Sequence, residues 1–367
     1  MKESQPGSFQ DTFSRRLLSG QARGPAASSA RACLAAASLP YALAVRLRNH
    51  LYDRDVFHAR RASVPVISVG NLTVGGSGKT PFVCFLAQRL TSAGRRVAVL
   101  SRGYRSDPDD GLNDETRLLA RYLPPQVIQL SGPDRVDLAS WSSSHHRCDV
   151  ILLDDGFQHR RLARDLDVVL VDALEPFGFG HILPRGLLRE PLRALRRAHL
   201  IALTRTELVT PLQTHALEAQ LARLAPGVPV IYVAFPFVHC QSLSGETRLK
   251  TDRLSAKHAF CFCGVGNPAA FARTLDQAGI TQVGWRIFPD HHHYTPADVS
   301  LLGDFAVRAG ADVLLTTEKD AVKLQPGWSW PLPLYFVAVQ TLVTRGETVL
   351  NDLLVRTLTV RTGDRQS

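Results

Sequence analysis

The sequence is short of several features that would place it in common classes of protein. Its six cysteines include no pair separated by two residues, which argues against a zinc ribbon and a thioredoxin-type motif. Its best apolar stretch, residues 32–45, is interrupted by Pro40 and is shorter than the roughly 20 residues that cross a bilayer. No strong apolar block indicates a signal peptide. We therefore expect a protein in a reducing compartment that is soluble or lies on a surface.

What the sequence has in excess is positive charge, concentrated near the N-terminus. The 367 residues, 45% of them apolar, allow two ordinary domains and carry a formal net charge of +10. Ten basic and four acidic residues place +6 of this charge within residues 1–62. The asymmetry indicates an anionic partner for this segment, either a membrane leaflet or nucleic acid.

Residues 1–62 are predicted to form a basic segment that contains a helix from about residue 38, with Pro40 in its first turn. Its apolar stripe follows from leucines that recur every fourth residue: Leu39, Leu43, Leu47 and Leu51. One interpretation is an amphipathic helix that contacts lipid. The other, which the pattern alone slightly favours, is a helix packed on the main domain with a solvated basic side.

Beyond residue 62 the pattern is that of an α/β protein. Apolar, β-branched runs alternate with helical stretches, which predicts a doubly wound, mainly parallel sheet. The runs are residues 64–69, 96–100, 127–130, 150–153, 168–171 and 200–203. A second series of runs predicts a smaller α/β domain, and polar residues near 240–255 indicate the boundary. We predict a main domain over residues 63–245 and a smaller one over residues 246–367.

A glycine-rich loop between a strand and a helix is the strongest signal in the chain. It reads Gly70-Asn71-Leu72-Thr73-Val74-Gly75-Gly76-Ser77-Gly78-Lys79-Thr80-Pro81. Its glycines let backbone N–H groups converge on phosphate oxygens, at the positive end of the following helix. Lys79 would contact the β- and γ-phosphates and Thr80 would bind Mg²⁺. Thr73 stands where the common form of the motif has glycine. The predicted nucleotide-binding residues are Thr73, Val74, Gly75, Gly76, Ser77, Gly78, Lys79 and Thr80.

A second apolar strand ends in two carboxylates, Asp154 and Asp155. In P-loop enzymes an aspartate at this position holds the Mg²⁺ that bridges the nucleotide phosphates. We predict Thr80, Asp154 and Asp155 as the metal ligands. The sequence leaves open which aspartate binds directly.

With these motifs in place, the chain resembles the tetraacyldisaccharide 4'-kinases, which act in lipid A biosynthesis. The resemblance spans roughly residues 64–325 and includes the threonine at the start of the phosphate loop. Its other motifs are Leu100-Ser101-Arg102-Gly103-Tyr104, Asp114-Glu115, Asp154-Asp155-Gly156-Phe157-Gln158-His159, the segment 183–191, Gly264-Val265-Gly266-Asn267-Pro268, Phe288-Pro289-Asp290-His291-His292 and Thr317-Glu318-Lys319-Asp320.

The resemblance implies an activity and a location. These kinases transfer the γ-phosphate of ATP to the 4'-hydroxyl of a tetraacyl glucosamine disaccharide 1-phosphate. They work as peripheral enzymes on the cytoplasmic face of the inner membrane, with an N-terminal helix that helps them contact the lipid. The implied partners are this lipid A precursor and the membrane surface, and we expect no nucleic acid. The sequence identifies no protein partner.

The resemblance also assigns catalytic roles. A sugar hydroxyl needs a carboxylate to accept its proton as the new bond forms. Asp114 is implied as this base, with His291 as the residue that orients it, and Asp155 is the rival base. The sequence departs from the family pattern around Asp114, where Asn113 and Thr116 replace the usual glycine and proline. Arg102 and Arg189 are plausible phosphate or headgroup contacts, or equally surface salt-bridge residues.

Two other functions remain alternatives. A P-loop GTPase or metal-chaperone NTPase, acting as a switch, would need a guanine-reading motif. In Thr317-Glu318-Lys319-Asp320 the lysine and aspartate are adjacent, so the spacing of that motif fails. A nucleic-acid-binding ATPase would account for the basic charge, but no helicase-type signature is visible. Three successive histidines, residues 291–293, could indicate zinc, but no second Cys/His cluster accompanies them.

Overall fold

A computed structural model describes residues 13–103, 114–245, 247–325 and 327–363 of the chain. The described residues form two compact units. The first unit comprises the described residues within 17–234 and 341–363, and the second comprises those within 235–340 together with residues 13–16. The predicted division at residues 245 and 246 differs from this one. The residues after 340 return to the first unit because their strand pairs with its sheet.

The first unit is built on an eight-stranded sheet. Its strands are β1 (Val66–Asn71), β2 (Val97–Ser101), β3 (Ile128–Ser131), β4 (Val150–Asp154), β5 (Leu166–Asp172), β6 (Leu200–Thr204), β7 (Val230–Ala234) and β14 (Leu342–Arg345). The spatial order is β14-β7-β6-β5-β1-β4-β2-β3, and every neighbouring pair is parallel except β14 with β7. The predicted doubly wound, mainly parallel P-loop type of sheet is confirmed. The carboxyl ends of β1, β4, β5 and β6 therefore lie along one edge, where such sheets bind ligands.

The helices of this part of the chain precede, connect or follow these strands. They are α2 (Pro25–Asp53), α3 (Lys79–Ser92), α4 (Asp114–Tyr122), α5 (Arg135–His145), α6 (Pro211–Leu224) and α11 (Glu347–Gly363), with α1 (Phe13–Leu18) preceding them. Short 3-10 helices span Gly178–Gly180, Leu192–Arg197 and Thr206–Leu208. Local signals start several of them: the Asp134 side chain accepts hydrogen bonds from the first turn of α5, and Thr210 and Gln213 form a capping box on α6.

The core of the first unit lies on both faces of the sheet. One cluster of buried side chains includes Phe157, Val169 and Leu203, and another includes Val66, Leu100 and Ile151. Every residue of β1, β2, β4, β5 and β6 is buried. This burial explains why the central strands read as continuous apolar runs rather than alternating ones.

Helix α2 corrects two expectations about the N-terminal segment. It begins at Pro25, so Pro40 lies inside the helix rather than in its first turn. Among the described residues, it is the one helix long and apolar enough to cross a membrane, judged by length and composition alone. The sequence predicts no such segment, because the apolar stretch of residues 32–45 is short and contains Pro40; the helix that the structure shows continues through this proline and is longer than the stretch.

The first three leucines of the α2 stripe face away from the protein, and the fourth, Leu51, is half-buried. Leu39, Leu43 and Leu47 are 71%, 67% and 56% exposed, whereas Val45 and Asn49 are buried. The opposite face holds the helix in place: Ser38 donates to the carbonyl of Ile182. The helix is therefore packed on the main domain, as the second interpretation expected, but through the face that carries Val45 and Asn49 rather than through the leucine stripe.

The second unit is a six-stranded sheet with its own helices. Its strands are β8 (Phe237–Ser242), β9 (Arg248–Leu249), β10 (His258–Cys263), β11 (Thr281–Ile287), β12 (Val313–Thr317) and β13 (Leu334–Val339), in the order β11-β10-β12-β13-β8-β9. Its helices are α7 (Thr251–Leu254), α8 (Pro268–Gln277), α9 (Pro296–Arg308) and α10 (Glu318–Ala321). The first four strands in this order are parallel, and β8 and β9 add antiparallel. The predicted second α/β domain is confirmed as a fold.

Candidate functional site

The phosphate loop joins the carboxyl end of β1 to the first turn of α3. Asn71 ends the strand and Lys79 begins the helix. Gly78 caps the helix with φ 85°, and Gly75 has φ 118°. Residues that carry a side chain rarely adopt such positive φ angles, so glycine is needed at both positions. The loop thus presents the positive end of α3, with Lys79 and Thr80 in its first turn, at the edge of the sheet.

The first half of this loop is held by the segment Leu187–Leu188–Arg189. Thr73 and Leu188 form an antiparallel bridge. The backbone N–H of Val74 donates to the carbonyl of Leu187 at 2.8 Å, and that of Arg189 donates to the carbonyl of Leu72 at 2.7 Å. A strand-like pairing therefore fixes the loop where Thr73 replaces the usual glycine.

The second half of the loop is held by the carboxyl end of β6. The Thr204 hydroxyl donates to the carbonyl of Ser77 at 3.0 Å, and the Arg205 guanidinium donates to the carbonyl of Gly76 at 2.7 Å. Arg205 also forms an ion pair with Asp172, at the end of β5. Two successive carbonyls are thus turned toward β6, which leaves the N–H groups of the loop free to point the other way.

Lys79 lies within a network of polar side chains. Its ammonium is 3.2 Å from Oδ1 of Asn71 and 3.6 Å from Oδ1 of Asp155. Arg189 binds the same two side chains, at 2.7 Å from Asp155 and 3.1 Å from Asn71. Burial raises the pKa of Asp155, but the charges of Lys79 and Arg189 outweigh it and hold the pKa well below its usual range. Asp155 is therefore a charged acceptor that positions two cations.

Asp154 is in a different environment, although it is the next residue. It ends β4 and is 2% exposed, while Asp155 turns away with φ 52°. Burial raises the pKa of Asp154 to about 7, and the nearby charge of Glu115 adds to the increase. Its Oδ1 is buried and has no hydrogen-bond partner among the described residues. A buried oxygen of this kind, close enough to Lys79 at the start of α3 for their charges to interact, fits a hard cation such as Mg²⁺.

A buried arginine faces the acidic pair. Arg135 is 4% exposed at the start of α5, and its Nη1 is 3.5 Å from the carbonyl of Asp155. Burial lowers the pKa of Arg135, while the charges of Asp155 and Asp154 act in the opposite direction. Sequence reasoning missed this residue, because nothing in the local pattern around Arg135 marks it as part of a site.

The two residues assigned to proton transfer lie in different units. Asp114 is 8% exposed in the first turn of α4, within the first unit. His291 belongs to the second unit and has φ 61°. Its Nε2 is 3.4 Å from the ammonium of Lys319, which also binds Asp290 at 2.9 Å. Residues 104–113, which precede Asp114 and include Asn113, lie outside the described residues.

The Thr-Glu-Lys-Asp motif has a structural role in the second unit. Asp320 is fully buried and accepts hydrogen bonds from the backbone of Gly264, from Thr317 and from Tyr294. Lys323 lies 2.6 Å from the same carboxylate. Asp320 is therefore committed to holding the unit together and cannot read a guanine base, which disfavours the GTPase alternative.

The structure thus brings together the residues predicted for the phosphate loop and the acidic strand end. It adds residues that the sequence analysis did not assign to the site: Asn71, Arg135, Asp172, Thr204 and Arg205. Arg189, for which the sequence left two roles open, lies against the loop. Asp172, Thr204 and Arg205 could have been found from their positions at the carboxyl ends of β5 and β6, because the carboxyl ends of parallel strands lie along one edge of a sheet.

Comparison with known proteins identifies close relatives. A family model described as tetraacyldisaccharide-1-P 4'-kinase matches residues 30–359. A protein named tetraacyldisaccharide 4'-kinase from Anaeromyxobacter dehalogenans (strain 2CP-C) is 43% identical over 319 residues, which cover 83% of this chain and 84% of that protein. One of the same name from Bdellovibrio bacteriovorus is 37% identical over 308 residues, covering 80% and 90%. The crystal structure of LpxK from Aquifex aeolicus in complex with ATP is 31% identical with a TM-score of 0.68, covering 89% of this chain and 99% of that one.

Proposed function

The chain belongs to the tetraacyldisaccharide-1-P 4'-kinase family, and on that premise we propose how its residues carry out the reaction. It transfers the γ-phosphate of ATP to the 4'-hydroxyl of a tetraacyl glucosamine disaccharide 1-phosphate, a step of lipid A biosynthesis. The observation that carries the proposal is the position of Lys79, at the end of a loop whose two halves are both held by backbone and side-chain contacts.

ATP binding is the task of the loop Thr73–Thr80. Its N–H groups and the amino end of α3 bind the phosphate oxygens, and Lys79 neutralises charge on the transferred group. Asp154 and Thr80 would hold Mg²⁺, with Asp155 as the further candidate ligand. A bound ion would supply neutralisation of the negative charge of the nucleotide phosphates. The buried, unpartnered Oδ1 of Asp154 supports the assignment of this residue as the inner ligand.

Proton removal from the acceptor hydroxyl is the task of Asp114. The rival base, Asp155, is a poor candidate because Lys79 and Arg189 hold its pKa well below the usual range. Arg189 in turn fixes Asp155 and Asn71 against the loop. The orienting role of His291 stays a prediction.

Contact with the lipid substrate is the task of α2. Its exposed leucine stripe places apolar side chains where the headgroup and acyl regions meet, and the basic residues of the segment favour an anionic leaflet. Family membership and this exposed stripe together support a peripheral enzyme on the cytoplasmic face of the inner membrane.

A transfer assay tests the function directly. Labelled ATP and the tetraacyl disaccharide 1-phosphate, dispersed in uncharged detergent, should yield a labelled lipid in the presence of Mg²⁺. Asp114→Asn should lower turnover by at least about 10²-fold while ATP binding remains. Loss of ATP binding in this variant would show that Asp114 supports the nucleotide site instead. No label transfer by the unaltered protein would refute the function.

A further inference from the structure

A basic cavity lies beside the N-terminal helix, on the first unit and apart from the phosphate loop. Its volume is about 360 Å³, and it is lined by α2 on one side and by the 3-10 helix Leu192–Arg197 on the other. Four arginines contribute to the lining: Arg46, Arg193, Arg196 and Arg197. Its polar, cationic walls suit a small anion.

Most of this positive charge is not neutralised by the protein. Asp53 also lines the cavity, but it is bound by Arg160 at 2.7 Å. No acidic partner of Arg46 or Arg193 is found within the described ranges, and Arg196 donates only to the carbonyl of Leu224.

The fourth arginine is part of the supporting wall. Arg197 binds the buried carboxylate of Glu190 at 2.9 Å, and Arg48 binds the same carboxylate at 3.1 Å. Two arginines thus share one acid, so the wall itself keeps an excess of positive charge. The cavity is cationic because the arginines around it outnumber the acidic residues.

The position of the cavity on α2 indicates what occupies it. Residues spaced by three or four lie on one face of a helix, and Leu39, Leu43, Arg46 and His50 follow that spacing. The exposed leucines therefore continue, toward the end of α2, into the cationic cavity. From Leu43 to His50 the helix rises about 10 Å. With the leucines among the acyl chains of a bilayer, the arginines further along the same helix face are held at the membrane surface, where their long side chains reach lipid phosphates.

We propose that this cavity binds the phosphate of an anionic phospholipid headgroup when α2 lies on the bilayer. The proposal rests on the membrane association put forward above, and it names a second lipid contact that is separate from the reacting acceptor. Arg46, Arg193 and Arg196 supply the charge, and the wall around Glu190 fixes the cavity shape.

Vesicle binding tests the proposal with the full chain. Binding is measured to vesicles of phosphatidylcholine alone and with added phosphatidylglycerol, and the preference is the ratio of the two affinities. R193Q/R196Q should lower this preference roughly 30-fold, at about 5-fold for each arginine near the surface. R147Q/R356Q removes the same charge from exposed positions elsewhere on the unit and should change the preference about 2-fold or less. R193K/R196K keeps the positive charge and should therefore retain most of the preference for vesicles that contain phosphatidylglycerol.

The outcomes separate this cavity from other sources of binding. Equal losses in R193Q/R196Q and R147Q/R356Q would overturn the proposal in favour of diffuse electrostatic attraction. An unchanged vesicle preference, with a raised KM for acceptor in uncharged micelles, would assign the cavity to the phosphate of the acceptor and also overturn it. Normal micelle turnover by R193Q/R196Q supports the proposal, and it keeps the test independent of the kinase activity. Failure of the unaltered protein to phosphorylate the acceptor would refute the kinase function alone.

Discussion

Arg205 offers the most specific test of how the fold supports the phosphate loop. Its guanidinium binds the carbonyl of Gly76 and the carboxylate of Asp172 together. The Asp172 side chain is 6% exposed and that of Arg205 is 15% exposed. Arg205→Ala leaves a nearly buried carboxylate without its cation, which should cost about 2 to 3 kcal/mol of stability. Losing the charge-assisted hydrogen bond to the loop should cost about 1.5 kcal/mol, or about 10-fold in ATP affinity.

A second substitution separates these two effects. In Arg205→Ala combined with Asp172→Asn, the uncompensated charge is gone, so the melting temperature should recover. The contact with Gly76 is still absent, so ATP should still bind about 10-fold more weakly. Thermal unfolding and ATP titration of the same preparations provide both readouts.

A matched control uses another arginine of the first unit. Arg345 forms an ion pair with Glu218 at 2.9 Å, and its side chain is 54% exposed. Arg345→Ala should therefore change both stability and ATP affinity only slightly, because exposed pairs contribute about 0 to 1 kcal/mol. If Arg205→Ala lowers stability but leaves ATP affinity unchanged, the role of Arg205 in positioning the loop is refuted.

Two further predictions concern the site and its surroundings. Lys79→Ala should lower turnover by at least about 10²-fold with folding intact, because the charge on the transferred phosphate loses its cation. Lys250→Ala, at an exposed position, should leave turnover unchanged. Near-normal turnover of Lys79→Ala would refute the phosphate-loop assignment. Burial, together with the charges of Arg135 and Arg161, lowers the pKa of His159 from 6.5 to about 4. Since the unfolded state takes up this proton first, stability should fall as pH drops from 6.5 toward 4, by about 1 to 2 kcal/mol after allowing for partial exposure. His159→Gln should flatten that part of the stability profile, and an unchanged slope would contradict the reasoning.

The parts of the fold that depend on contiguous residues could be predicted from the sequence. The apolar run, the glycines and the helix that follow one another in residues 66–80 form one local signal, so the order of strand, loop and helix was recognisable. The same holds for β4 and its terminal aspartates. The residue type of these aspartates and their position at the end of a strand predict a metal-binding role without any knowledge of the packing.

The supports of the loop could not be predicted in this way. Arg205 lies 129 residues from Gly76 in sequence, and only the placement of β6 in the sheet brings the two together. Arg135 is only 20 residues from Asp155, but it too meets the acidic pair through the packing of α5 and not through a local motif. A surface arginine and a buried arginine look alike in a sequence, because the difference lies in which distant backbone comes to cover them.

The N-terminal helix shows how a single residue can mislead. Pro40 was placed in the first turn because proline is favoured there, but a long helix tolerates it in the interior at the cost of one hydrogen bond. With the start at Pro25, the helix has 29 residues instead of about half that number. The exposure of Leu39, Leu43 and Leu47 then favours lipid contact, which their spacing alone did not decide.

Glu190 links this helix to the phosphate loop. Its carboxylate is fully buried and is bound by Arg48 and Asn49 of α2. The preceding residue, Arg189, binds the loop through both its backbone and its side chain. Loss of α2 would leave the Glu190 carboxylate with Arg197 as its remaining partner among the described residues. A half-satisfied buried charge of this kind destabilises the segment that carries it.

Deleting residues 1–52 should therefore change more than membrane binding. We expect the truncated protein to bind vesicles weakly, to melt at a lower temperature and to turn over more slowly even on acceptor in micelles, because the segment that holds the loop loses its partners. Exchanging the exposed leucines Leu39, Leu43 and Leu47 for glutamine leaves those partners in place. It should lower vesicle binding at least about 10-fold, with turnover in micelles unchanged. A truncated protein that binds vesicles poorly but keeps its melting temperature and micelle turnover would refute the link between α2 and the loop through Glu190.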